Sequence, residues 1–122
     1  ALRESRIGIR MGMVENLEKM LANGRDDAML RFGLGSAYFN DGKFSLAVTH
    51  LEACLVQDDS YSAAYKLLGK AYLRQGEAWK AARTFEAGMP IAEAQGDKQS
   101  RREMWVFLDK ANKEMGIGQA DS

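Results

Sequence analysis

Apolar side chains recur along this chain at steps of three and four. Over 28–40 they are Leu30, Leu34, Ala37 and Tyr38, one stripe of a helix rather than the alternation of a strand. Asp26 or Asp27 can cap the start of that segment, and Asn40-Asp41-Gly42 supplies the left-handed residue that ends it. The next unit has Asp59 or Ser60 before its helix and Gly76 after it. Carried along the chain, the pattern predicts helices at about 12–22, 27–40, 44–57, 61–74, 78–95 and 98–115. Pro90 falls inside the fifth, where it removes a bond to the Glu86 carbonyl and is expected to kink or shorten the helix.

Sliding the sequence by 34 residues lays 28–61 on 62–95. Leu34 then meets Leu68, Gly35 meets Gly69, Ala37 meets Ala71 and Tyr38 meets Tyr72. Gly42 with Gly76, Ala47 with Ala81, Glu52 with Glu86 and Ala53 with Ala87 bring the identities to eight in 34 places. Ordinary composition would give about two. Met13, Leu17, Met20 and Leu21 take the places of Ala47, Leu51, Cys54 and Leu55, so 12–22 reads as a degenerate half repeat.

Leu-Gly-x-Ala-Tyr, then Gly, then Ala, then a large apolar residue resembles the tetratricopeptide repeat, a helix–turn–helix of 34 residues. The resemblance implies an all-α, right-handed stack of antiparallel helical hairpins, a solenoid, formed by a single domain over 1–122. Its parts are the half repeat at 12–22, repeats at 28–61 and 62–95, and a capping helix at 97–115. Arg31 stands where the family has an aromatic, which Tyr65 supplies in the second copy, and Asp59 replaces the closing proline. In the last helix Met104, Phe107, Leu108, Ala111 and Met115 form the inward stripe, and the charged residues between them face out.

A glycine within a helix costs about 1 kcal/mol against alanine, so Gly35 and Gly69 are read as sites of close helix crossing, with Ala47 and Ala81 as the small residues facing them.

Charge excludes some partners. Seventeen basic residues balance seventeen acidic ones, so the field that gathers nucleic acid or an anionic membrane is missing. No run of eighteen apolar residues exists and the opening residues lack a signal-like apolar stretch, so a cytoplasmic protein is expected, with neither nucleic acid nor membrane as partner. A single cysteine, Cys54, forms no internal disulfide.

No catalytic constellation is expected, and no cofactor or metal. His50 is the only histidine; it lies one turn from Cys54, yet the repeat alignment puts Cys54 inward as a structural thiol and His50 outward on the surface. One His and one Cys leave zinc two ligands short, and the glycines do not cluster as phosphate-binding loops do.

What remains is a surface. In the family, first helices line the concave face, which here offers Met29, Phe32, Ser36, Phe39 and Asn40, then Ala63, Lys66, Lys70, Leu73 and Arg74. Lys66, Lys70 and Arg74, at four-residue steps, form a basic line beside an apolar patch of Phe32 and Phe39, so an acidic peptide is the expected ligand. The family members that clamp the acidic C-terminus of heat-shock chaperones use a lysine and an asparagine where this chain has Phe32 and Ser36, so that clamp is not expected. Trp79 and Trp105 read as half-buried flank residues. The function expected is a non-catalytic protein-interaction module or scaffold that binds a partner peptide or helix in its concave face, with Phe32, Ser36, Phe39, Asn40, Lys66, Lys70, Leu73 and Arg74 as contacts. The rival readings are a self-associating assembly module, in which a homodimer covers the open end, and a secretion-type chaperone that holds an unfolded segment. Seven methionines supply adaptable apolar surface for either.

Overall fold

In the computed structural model of the protein, residues 2–117 are described, with side chains from Gly12 onward. Six helices follow one another, α1 (Leu2–Ala22), α2 (Ala28–Asn40), α3 (Phe44–Gln57), α4 (Ser62–Arg74), α5 (Ala78–Ala94) and α6 (Lys98–Glu114), and no strand occurs among these residues. α1 starts ten residues earlier than its apolar stripe predicts. Residues 2–11 contain no proline, and Gly8 is their only weak helix former.

The turns obey simple chemistry. Asp27 caps α2, accepting from the Leu30 amide at 2.8 Å, and Asp97 caps α6 through Ser100. Gly42 and Gly76 take φ of +77°, the left-handed geometry that ends a helix at little cost only with glycine. Neither Asp59 nor Ser60 caps α4: Tyr61 holds that position without a side-chain bond, and Ser60 pairs locally with Asp58. Pro90 does not shorten α5, which runs seventeen residues. Both Pro90 and Glu86 are exposed, so water can take the freed carbonyl.

Each helix packs against the next. The first helices of the hairpins also touch one another, α2 with α4 and α4 with α6, whereas the backbones of α3 and α5 nowhere approach. A stack whose inner row meets and whose outer row is splayed is curved, with α2, α4 and α6 on the concave side. α6 thus occupies a first-helix position. A shift of 36 rather than 34 carries the buried Leu68 onto the buried Met104, because two extra residues enter between α4 and α6.

The glycines mark the crossings, but the alanines do not face them. A Cβ on Gly35 would stand 2.6 Å from Leu51 Cγ, and one on Gly69 only 2.3 Å from the Phe85 ring. Large side chains of the second helices are therefore seated directly on bare backbone of the first, while Ala47 and Ala81 fill fully buried positions one turn earlier. A third such seat joins α5 to its neighbours: a Cβ on Gly88 would meet Tyr65 at 2.4 Å and Met104 Sδ at 2.8 Å. One apolar cluster around Leu34, Leu51, Cys54 and Leu68 fills the first half, a second around Phe85, Ala92 and Met104 the other, and Tyr72 packs against both.

Candidate interaction surfaces

On the concave side the residues of the basic line do stand together, but none is bare. Lys66 pairs with Glu103 of α6 at 3.2 Å. The Lys70 ammonium lies between two rings, 5.6 Å from the centre of Phe39 and 5.3 Å from that of Phe107. The Arg74 guanidinium sits 4.7 Å over Phe44. Phe32 stacks on Tyr61 and Phe39 meets Phe44 edge-on, so both phenylalanines are half-buried, with one face packed. Ser36 and Leu73 are likewise half-buried, Asn40 is exposed and Met29 is 69% exposed. Glu103 and Phe107 of α6 belong to this surface, and a 34-residue shift could not place them there because the spacing to α6 is two residues longer.

A ring over a cation attracts it through the negative face of its π system without neutralising it as a carboxylate would. Arg74 is therefore oriented with its charge intact, whereas Glu103 pairs with Lys66 and also feels the charge of Lys70.

The outer side carries two grooves built on one template. Between α1 and α3, His50 is 7% exposed and not on the surface as its repeat position suggested. It stacks on Tyr38, its Nδ1 accepts from the Arg31 guanidinium at 3.1 Å, and its Nε2 faces Glu18 at 3.4 Å. Arginine only donates, so the ring is neutral with its proton on Nε2, toward Glu18. Glu18 also accepts from the Tyr38 hydroxyl at 3.0 Å. Arg31, in the family's aromatic position, reaches Asp26 at 2.8 Å as well, and together with Gln57 it draws that carboxyl down to about 2. Burial is what chiefly lowers the His50 pKa, with Arg31 adding to it and Glu18 and Asp26 opposing. The signal in the sequence was Arg31 itself: a guanidinium on an aromatic position needs acceptors, and His50 is one turn away on the facing helix.

The 34-residue shift carries Glu18, Tyr38 and His50 onto Glu52, Tyr72 and Thr84. Tyr72 again faces the glutamate, its phenol held above the usual pKa first by burial and then by Glu52. Thr84 is too small to reach either, and a groove of about 640 Å³ stays open between α3 and α5. Ser45, Val48, Glu52, Tyr72, Gln75, Trp79, Lys80, Arg83 and Thr84 line it. Trp105, 50% exposed, is the half-buried residue its position suggested, whereas Trp79, at 61%, stands farther out.

Neither Cys54 nor His50 is placed for catalysis. The Cys54 thiol is fully buried and its pKa is pushed up by burial to about 11, which keeps it protonated and unreactive at neutral pH. Both nitrogens of His50 are engaged by Arg31 and Glu18. Among the described residues no three His, Cys, Asp or Glu side chains converge as metal ligands would, and no helix is long and apolar enough to cross a membrane.

Known proteins are similar in sequence and in fold. The tetratricopeptide repeat family model matches residues 32–97. TPR repeat-containing protein PA0015 of Pseudomonas aeruginosa is 48% identical over 101 residues, spanning 83% of this chain and 96% of that one. Protein BPP2914 from Bordetella parapertussis, known from a solution structure, is 41% identical, with a TM-score of 0.73 over 84% of this chain and 89% of its own. The TPR2B domain of yeast Sti1, solved in complex with pHsp70, is 18% identical yet superposes with a TM-score of 0.80 over 92% of this chain and 90% of that one, a likeness of fold alone. Eight identities at a fixed period, equivalent glycine seats at Gly35 and Gly69 and a matching family model over more than half of the sequence lead to one statement: the chain belongs to the tetratricopeptide repeat family.

Proposed function

We propose that the protein is a non-catalytic interaction module whose concave face, formed by α2, α4 and α6, docks an acidic peptide or helix of a partner protein. The observation that carries this reading is Lys70, whose ammonium is fixed between Phe39 and Phe107 from the two flanking helices. A cation held between rings offers donors at a defined point on an apolar floor, which suits a carboxylate flanked by apolar side chains. Phe32, Ser36, Asn40, Leu73 and Arg74 extend that floor, and Lys66 joins it when a ligand carboxylate displaces Glu103. The Sti1 domain, solved with pHsp70, supports the use of this fold for holding a partner. Affinity capture with the wild-type chain and with a Lys66→Glu, Lys70→Glu double variant tests the reading. A partner held by the wild type is expected to be lost from the variant; recovery of the same proteins by both overturns it.

A second reading is self-association, favoured by Trp105 and Val106, which are exposed together on α6 at the end of the stack. Sedimentation across a wide concentration range decides it, and a monomer throughout removes it.

A further inference from the structure

We infer that the open groove between α3 and α5 is a second docking surface, which takes an extended acidic segment of a partner protein, with its carboxylates on Lys80 and Arg83 and an apolar side chain against Trp79. This inference does not depend on the concave-face reading.

The corresponding groove between α1 and α3 has Ser45, Leu46, Thr49 and His50 where this one has Trp79, Lys80, Arg83 and Thr84. Both are built on the same glycine seats, so a bulky indole and two cations are not needed for packing here. Nor are they buried: Trp79, Lys80 and Arg83 are all exposed. An exposed tryptophan beside an arginine at the edge of a groove is the composition of an interface anchor.

The cations are arranged as well as present. The Arg83 guanidinium lies 5.5 Å from the Trp79 ring centre, and the Lys80 ammonium 5.8 Å from that of Tyr72. Each is steadied by a ring rather than neutralised by an acid, which leaves its charge for an incoming anion. The one carboxylate lining the groove, Glu52, already faces the Tyr72 phenol. The Ser45 hydroxyl and the Gln75 amide, bonded to each other at 3.0 Å, add a polar rim near the turn. Seven helical steps of α3, from Ser45 to Glu52, frame one wall, about 10 Å at 1.5 Å per step. That length takes about three residues of extended chain, and 640 Å³ lies within the range of occupied binding clefts.

The test is a titration of the full chain, ¹⁵N-labelled, with two pools of five-residue peptides. One pool is randomised over Asp, Glu, Leu and Phe, the other over Lys, Arg, Leu and Phe. The acidic pool is expected to shift the Trp79 indole N–H and the amides of Ser45, Val48 and Thr84 saturably, with half-saturation at about 1 mM or below. A Lys80→Glu, Arg83→Glu variant, both positions being exposed and clear of the core, should weaken that response at least about tenfold. Lys66→Glu, Lys70→Glu should leave it unchanged. Equal response to both pools, shifts confined to the concave face, or no shift at Trp79 at millimolar peptide overturns the inference. So do Trp79 shifts that grow with protein concentration alone, which would make a second copy the occupant.

Discussion

The two outer grooves start from the same glutamate and the same tyrosine and end differently. Between α1 and α3, His50 fills the space, stacked on Tyr38 and held by Arg31 and Glu18. Between α3 and α5, Thr84 leaves it empty and Trp79, Lys80 and Arg83 stand around the opening. A handful of changes at equivalent positions, His50 against Thr84 first among them, therefore separates a structural seam from an open surface. The closed seam fastens an end helix: among the described residues the α1 backbone packs on α2, and Glu18 gives it a hold on α3. The open one lies in the middle of the stack, where the glycine crossings already hold the helices and no further fastening is needed.

The largest effect is expected at the crossing beneath the open groove. Gly69→Leu pushes a branched side chain into the Phe85 ring and should cost about 3 kcal/mol, a fall of roughly 12 °C in Tm by thermal circular dichroism. A Tm within a degree of wild type would remove the glycine seat as the common foundation of both grooves. Next comes the seam itself: His50→Ala strips Arg31 and Glu18 of a partner and should cost about 2 kcal/mol, with amide exchange accelerating in α1 before α4 or α5. Uniform acceleration would show that the seam does not fasten the end in particular.

Acid should reach the same seam more gently. Folding lowers the His50 pKa, so the unfolded chain binds more protons as pH falls below about 6.5, the group's ordinary value. Stability contributed by neutral His50 is complete above that pH and declines as pH drops toward the folded value. The decline should vanish in His50→Gln, measured by urea melts between pH 7 and 5; a parallel decline in the variant assigns it to other groups. Thr84→His, the reverse graft, should stack on Tyr72 near Glu52 and narrow the open groove, with a stability change within about 1 kcal/mol. The smallest effect belongs to Lys66→Ala: its pair with Glu103 is partly solvated and worth a few tenths of a kcal/mol.

The repeat, the six helices and the glycine crossings were legible because they follow from periodicity, and periodicity survives in a single sequence. What periodicity does not carry is which atoms meet. It aligned Gly35 with Gly69 but assigned the wrong partners, since Leu51 and Phe85 reach the glycines from one turn beyond Ala47 and Ala81. It placed His50 outward, although Glu18 of α1 and Arg31 of α2 close over it. It also lost the thread at α6, where two added residues moved Leu68's counterpart to Met104 and hid the contributions of Glu103 and Phe107 to the concave face.

The contact of the inner helices, set against the separation of the outer ones, gives the molecule a preferred direction of bending. α2, α4 and α6 already touch and resist being pressed closer, so the compliant coordinate is the gap across which α3 and α5 face each other. Narrowing that gap would straighten the row, and a guest wedged there would act as a strut that holds the opposite cradle at its present arc.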